Sequence, residues 1–294
     1  MGIHHPIRRD ELDAGCARLL QDGYLVVDHA LPRETIAALD RDLAPDFEHT
    51  PFCEGGFYGG RTKRFGRLLI RSAHSDRLVR HPLVLGIAEA VLAPWCERLQ
   101  LNLTQAIAIH PGALPQLPHR DQDMWRGPAG EIEYLVNVMW PLTPFTEENG
   151  ATLVWPGSHG ANAALAGAEG DARPMELDPG SALIFLGSTL HGAGGNRSAG
   201  IRRGIIVSYC LGWLKPYENQ WLAYPPSVAA TFPRPLSELV GYAQHRPNLG
   251  NFEGQCPSVL FDGSRDERRG AIDALRPDQA RQVEDYVSSQ GEEA

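Results

Sequence analysis

From Leu101 onward the chain breaks into short apolar runs separated by turn residues, and this rhythm limits the fold more than any other feature. LNLTQAIAIHPG alternates apolar and polar, then runs apolar. EYLVNVMWPL, LVWPGSH, SALIFLGSTLHG and RRGIIVSYCLGWL follow, set apart by Pro, Gly, Asn and Ser. Runs this short with period-two alternation predict strands. Several of them at regular spacing predict an all-β sandwich or double-sheet barrel. The 31 Gly and 23 Pro supply the turns such a fold needs.

Before residue 100 helical spacing dominates. Leu12, Cys16, Leu19 and Leu20 recur near helical spacing, and Gly23 ends the segment as Gly often does. Tyr24 to Val27 predicts a short strand. Pro32 opens a second helix to about Leu43, with Pro near the first turn where its missing N–H costs nothing. Residues 82 to 93 predict a third helix. Residues 51 to 67 are Gly-rich and basic and predict a long loop. Its Phe57, Tyr58, Arg61, Lys63 and Arg64 read equally as a lid over a substrate or as a solvated loop. The expected organisation is one domain over 1–294, with a β core at about 100–214 and helices packed outside it.

Charge and cysteine usage exclude several partners. Asp plus Glu is 36 against 27 Lys plus Arg, a net charge of -9. Nucleic acids and anionic membranes need clustered positive charge to displace counterions, so neither is expected. Five scattered cysteines without a CxxC pair fit a reduced, cytoplasmic protein. MGIHHPIRRDELD lacks the apolar core of a signal peptide. The longest apolar stretch, Ile205 to Leu214, is too short to span a bilayer.

The chemistry gathers around Pro118-His119-Arg120-Asp121, just after a predicted strand. In extended backbone residues i and i+2 point the same way, so His119 and Asp121 reach one point. An imidazole and a carboxylate are two members of a facial triad for non-haem Fe(II). His191, at the end of SALIFLGSTL and the start of a Gly-rich turn, is the natural third. Each piece alone is more often a surface Asp or a satisfied His. Arg202 lies eleven residues beyond His191 and adds weight. A buried Arg binds a carboxylate bidentately and keeps its charge, so metal and Arg together make a clamp for 2-oxoglutarate. Arg203 is the alternative if the turn slips by one residue. Met139 and Trp140 read as core, whereas Met124 and Trp125 read equally as core or substrate pocket. His159 reads as a structural turn residue. GAGGN at 192 to 196 is not a dinucleotide loop, and no GxSxG elbow exists.

HRDQDMW, ENGATLVWPGSHG and HGAGGNRSAGIRRGIIVSY, taken in this order, resemble the phytanoyl-CoA dioxygenase family of Fe(II)/2-oxoglutarate oxygenases. The likeness covers roughly Gly23 to Gly250. GYLVVDHALPRETI, GWLKPYENQ and LVGYAQHRPNLGNFEG are similar to the branch that tailors terpenoids and alkaloids. The resemblance implies a double-stranded β-helix, a jelly-roll of cupin-like form, with flanking α-helices. It implies His119, Asp121 and His191 as iron ligands and Arg202 as the partner of 2-oxoglutarate. Gln116 and Thr152 match positions that contact the cosubstrate. Asp121 stands where halogenating relatives carry a small residue, which favours oxygenation with Fe(II), 2-oxoglutarate and dioxygen. Tyr58, Met124 and Trp125 are the expected pocket residues for a hydrophobic small molecule. Similar enzymes are often dimers, so Pro233 to Asp262 is the expected homodimer contact. The competing expectations are a cupin-like metalloenzyme without 2-oxoglutarate and a non-catalytic jelly-roll binding protein.

Overall fold

Apolar alternation becomes two antiparallel sheets in the computed structural model, which describes residues 8–165, 171–262 and 268–292. In chain order the strands are β1 (Tyr24–Val27), β2 (Thr62–Phe65), β3 (Leu99–Ile109), β4 (Leu135–Pro141), β5 (Thr152–Val154), β6 (Arg173–Met175), β7 (Ala182–Leu186), β8 (His191–Ala193) and β9 (Arg202–Leu211). The larger sheet runs β1-β7-β4-β9-β3-β2 and the smaller β6-β5-β8. Every pairing is antiparallel.

The alternation of the sequence decides which core each side chain enters. On β4, Val136, Val138 and Trp140 face one way and join Leu19, Leu39, Leu43 and Ile87 from the helices. Met139 faces the other way and joins Ile107, Ile109, Phe185 and Ile206 of the large sheet with Val154 and Met175 of the small one. One side of the large sheet is therefore roofed by helices, and the other closes against the small sheet as a jelly-roll. The roofing helices are Arg9–Asp22, Arg33–His49 and Pro82–Leu92. Among the described residues no helix is long and apolar enough to cross a membrane.

Three local expectations are corrected. The second helix does not stop near Leu43 but runs through Pro45 to His49. An interior Pro costs about 3 kcal/mol, yet the extra turn carries Phe47, which is buried edge-on against Phe65 at 4.9 Å. The loop expected over 51 to 67 contains β2, although TKRF is polar. It pairs with β3 from Thr62↔Ile109 to Phe65↔Ala106. Its Lys63 donates to the carbonyls of Phe47 and Glu48 at 2.9 Å each, where a cation also suits the helix end. Finally, His191 does not end the strand of Ile184. That strand stops at Leu186, and the turn Gly187–Leu190 carries the chain into the small sheet, so His191 opens β8.

Pro233 to Asp262, expected at a dimer contact, packs against its own chain. Tyr242 Oη donates to the Tyr224 carbonyl at 2.9 Å, and the Arg246 amide donates to Glu97 at 3.0 Å. Leu249 and Phe252 of this segment stay exposed.

Gly23 joins the helical layer to the turn before His191. It ends the first helix with φ +82°, its N–H on the Leu19 carbonyl, and its own carbonyl accepts from the Leu186 amide and Thr189 Oγ1. A Cβ here would lie 2.5 Å from His159 Nδ1. Gly23→Ala should cost at least about 1–2 kcal/mol from the left-handed backbone alone, read as a lower urea midpoint. Glu133 holds the same turn from below, accepting from Ser188 Oγ. Burial pushes its carboxyl up to about 7. Its stabilising contribution is complete at pH values below the ordinary Glu range and is lost as pH rises through about 7. The urea midpoint should therefore fall between pH 5 and 8, and Glu133→Gln should flatten that fall.

Candidate active site

The loop after β3 returns beside β8 and adds to its edge. The Gln116 amide donates to the Ala193 carbonyl at 2.9 Å. His119 and His191 then exchange both backbone hydrogen bonds, N–H to O at 2.9 and 3.0 Å. Such a pair sets two side chains side by side on one face, and the imidazole centroids lie 4.5 Å apart. Arg120 is extended (φ -115°, ψ 125°), so Asp121 returns to the face of His119 before the chain tightens into the 3-10 turn Asp121–Met124. Arg120 goes to the opposite side, buried, and donates to the carbonyls of Ser188 at 3.0 Å and Ser158 at 3.3 Å. It ties the His119 segment to the turn before β8 and the turn after β5.

The donor atoms converge. His119 Nε2 is 3.3 Å from Asp121 Oδ1, and His191 Nε2 is 3.5 Å from Asp121 Oδ2. One donor atom from each residue lies within 4.8 Å of the others. A metal ion about 2.0–2.2 Å from each nitrogen and oxygen fits donors spaced this way. Both rings turn Nδ1 to a backbone carbonyl, His119 to Leu117 at 2.8 Å and His191 to Thr189 at 3.0 Å. A proton on each Nδ1 leaves both Nε2 lone pairs facing the carboxylate. Asn137 Nδ2 donates to Asp121 Oδ2 at 3.0 Å. Burial alone would raise the Asp121 carboxyl, but when the Nε2 atoms carry protons in place of a metal, the charge of His191 and the hydrogen bonds of both histidines hold it well below the usual carboxylate range. Burial lowers His191, and Asp121 more than reverses this. The three groups are thus arranged to keep an anion beside two imidazoles.

The triad lines a cavity of about 730 Å³, its open mouth included, between the two sheets. Arg202 enters it from β9, only 3% exposed. Its Nη2 donates to Thr152 Oγ1 at 3.3 Å, its Nε has no partner, and the guanidinium stacks 3.7 Å from the Phe145 ring centroid. Among the described residues no carboxylate pairs with it. Burial, with Arg64 nearby, lowers its pKa to about 9. A buried guanidinium without an anion costs several kcal/mol, so the site fits a carboxylate ligand. Arg203 faces the other way and bonds Asp40 at 2.7 Å under the second helix. The strand alternation thus separates the two neighbours, and of the two only Arg202 reaches the cavity.

Gln116, Thr152, Tyr58 and Met124 also line this cavity. Trp125, expected with them, does not. Its indole N–H donates to the Lys215 carbonyl at 2.9 Å and its ring packs toward Tyr134, because the 3-10 turn rotates it away. Met139, read as core, lines the cavity, while Trp140 is fully buried under the helices. His159 bonds the Leu20 carbonyl at 2.9 Å, away from the triad. Sequence reasoning missed Asn137, Gln105 and Tyr217 as site residues, and it placed Arg64 in a lid or solvated loop, not on a strand that walls the cavity. Gln105 carried a signal, since it is the polar residue in the series Leu103, Gln105, Ile107, Ile109 that faces inward. Asn137 carried one too, as the polar residue inside an apolar strand. Removing the donor to Asp121 with Asn137→Ala should weaken Fe(II) binding about 10–100-fold, measured by anaerobic metal titration.

Comparisons with known proteins agree with this geometry. The model of the phytanoyl-CoA dioxygenase (PhyH) family matches residues 19–204. The dioxygenase trt7 of Aspergillus terreus is 30% identical over 239 residues, covering 77% of this chain and 82% of the relative. The multifunctional dioxygenase ausE of Penicillium brasilianum is 28% identical over 245 residues, covering 77% and 81%. Among solved structures, the non-haem α-ketoglutarate-dependent epimerase SnoN from nogalamycin biosynthesis superposes with TM-score 0.59 at 19% identity, over 71% of this chain and 87% of that one. HygX from Streptomyces hygroscopicus, with nickel and 2-oxoglutarate bound, gives 0.55 at 15%, over 72% and 91%. These two likenesses speak for the fold.

Proposed function

Because this chain belongs to the phytanoyl-CoA dioxygenase family and is a 2-oxoglutarate-dependent non-haem iron dioxygenase, we propose that it hydroxylates an unactivated C–H of a hydrophobic small molecule in natural-product biosynthesis. A terpenoid or alkaloid skeleton is the substrate class, in line with relatives such as trt7 and ausE. The whole of 1–294 acts as one dioxygenase domain. The observation that carries the assignment of the site is Arg202, a buried guanidinium without an anion, in the same cavity as the His-Asp-His cluster.

His119, Asp121 and His191 hold the iron, and Arg202 takes the distal carboxylate of 2-oxoglutarate with Thr152 and Gln116 beside it. Bound there, iron and 2-oxoglutarate supply, with dioxygen, the oxidant that takes a hydrogen from substrate carbon, and succinate and CO2 leave as coproducts. The chain's own residues do the rest. Asn137 fixes one Asp121 oxygen. The Leu117 and Thr189 carbonyls hold the Nδ1 protons, so that each ring offers Nε2. Phe57 meets His119 edge-on at 4.8 Å and Phe185 meets His191 at 4.6 Å, which restrains both rings. Leu103, Ile107, Met139 and Ile206 give the substrate an apolar wall and keep water from the reacting carbon. The C–H held closest to the metal is the one that reacts, so pocket shape sets the product. The presence of Asp121 supports oxygen insertion over halogenation.

Anaerobic addition of Fe(II) and then 2-oxoglutarate should produce the weak visible metal-to-ligand charge-transfer band. The band should vanish in Asp121→Ala, and His119→Ala should abolish succinate formation with iron supplied. Arg202→Met should raise the 2-oxoglutarate Kd at least about tenfold, the loss of a charge-assisted pair. Arg203→Met should leave it within about twofold, since Arg203 binds Asp40 on the far face. An unchanged band in Asp121→Ala, or a stronger effect at Arg203 than at Arg202, would overturn the assignment.

A further inference from the structure

Asn102 on β3, Ser208 on β9 and Asn137 on β4 are fully buried polar residues on neighbouring strands of the large sheet. The iron site as proposed uses only Asn137. A β-bulge brings Asn102 to the other two. Leu101 pairs with Tyr209 and Leu103 with Ser208, so Asn102 is the extra residue on β3. The bulge turns its side chain to the cavity-side face, where its Nδ2 donates to Ser208 Oγ at 2.9 Å. Its Oδ1 accepts from the Tyr217 amide at 2.7 Å, and its carbonyl accepts from the Glu218 amide at 3.0 Å and Gln220 Nε2 at 3.2 Å. The stretch 215–219 is thus seated on Asn102. Tyr217 of this stretch lines the cavity, and its hydroxyl is hydrogen-bonded to that of Tyr58.

Donors and acceptors along this line all run one way. A backbone N–H can only donate, so Tyr217 takes Asn102 Oδ1 and turns Asn102 Nδ2 to Ser208. Ser208 Oγ accepts on that side, and its own proton has no acceptor among the described residues. At the far end the ionised Asp121 can only accept, so Asn137 turns Nδ2 to it at 3.0 Å and keeps a buried Oδ1 that has no donor. Ser208 and Asn137 are directly opposite on the β9–β4 ladder. Side chains so placed reach each other, and rotation about the Ser208 side chain offers the spare proton to the orphan acceptor. We infer that Asn102 is a positioning residue: through Ser208 and Asn137 it couples the stretch that carries Tyr217 to Asp121. The inference rests on the proposed iron ligands and adds what holds one of them. In a buried row each hydrogen bond polarises the next, so Asn137 donates more strongly to Asp121 while Tyr217 is seated. Coupling is reciprocal, so an ion that fixes Asp121 also tightens the Tyr217 stretch. A substrate that parts Tyr58 from Tyr217 on entering is then felt at the metal ligand.

The test titrates the metal-free full chain with Fe(II) under anaerobic conditions, so turnover is not the readout. Asn102→Ala should weaken Fe(II) binding about three- to tenfold. The double variant Asn102→Ala/Asn137→Ala should bind within about twofold of Asn137→Ala alone, because the first change acts through the second. Ser208→Ala cuts the row and spares the bond between Asn102 and Tyr217, so it carries the test if Asn102→Ala does not fold. It should weaken Fe(II) binding as Asn102→Ala does. Hydrogen exchange read by mass spectrometry gives the reverse direction. Fe(II) should slow exchange across 215–219 about threefold or more in wild type and leave it unchanged in Ser208→Ala. Losses that simply multiply in the double variant overturn the proposal, as does wild-type Fe(II) affinity in Ser208→Ala. Equal slowing of exchange in wild type and Ser208→Ala overturns it too. No Fe(II) binding in wild type would instead overturn the ligand assignment, and this inference with it.

Discussion

The site depends on one reciprocal pair of backbone hydrogen bonds, between His119 and His191. Two residues 72 positions apart are brought side by side without any side-chain contact being required for it. Everything that makes the cluster chemical follows from that pairing. It fixes the spacing of the rings, it places the extended Arg120 so that Asp121 falls between them, and it leaves both Nδ1 atoms over backbone carbonyls. Histidine ligands held by side-chain packing alone would tolerate rotation. Here the positions of both histidines are properties of the sheet edge, which is stiff because paired main-chain groups hold it.

The support for that edge comes from elements that look unrelated in sequence. Gly23, at the end of the first helix, accepts from Leu186 and Thr189. Glu133 and Arg120 hold the Ser188 hydroxyl and carbonyl. His159 anchors the PGSH turn to Leu20. The helical layer is therefore a buttress for the turn that delivers His191, and its burial on the outer face of the large sheet serves geometry on the inner face.

Much of this was legible in the sequence where periodicity is local. The strands β3, β4, β7 and β9, the helices Arg9–Asp22 and Pro82–Leu92, and the grouping of His119, Asp121 and His191 follow from alternation and from motif order. β2 was not legible, because TKRF has no apolar alternation of its own and is a strand only through its pairing with β3. The extension of the second helix past Pro45 was hidden for a related reason, since Phe47 is rewarded by Phe65, a partner from another element. Trp125 was misplaced because a single turn of 3-10 helix breaks the alternation that carried Asp121 inward. Arg64 was visible as a residue but not as a wall of the site, because a basic loop and a basic strand look alike until register is known.

Arg202 and Arg203 sit on adjacent positions of β9 and serve opposite faces of one sheet. β9 is hydrogen-bonded on both sides, to β3 from Leu99↔Leu211 to Ile109↔Arg202 and to β4 from Leu135↔Cys210 to Pro141↔Gly204. A strand gripped from both edges cannot slide without breaking two ladders at once. The register of β9 is therefore set by its two neighbours and not by the length of the turn that precedes it. A slip of β9 by one residue would send Arg203 into the cavity, strand Asp40 beneath the helices and carry Arg202 to the outside, so the two ladders force any gain or loss of a residue to be absorbed within 194–201.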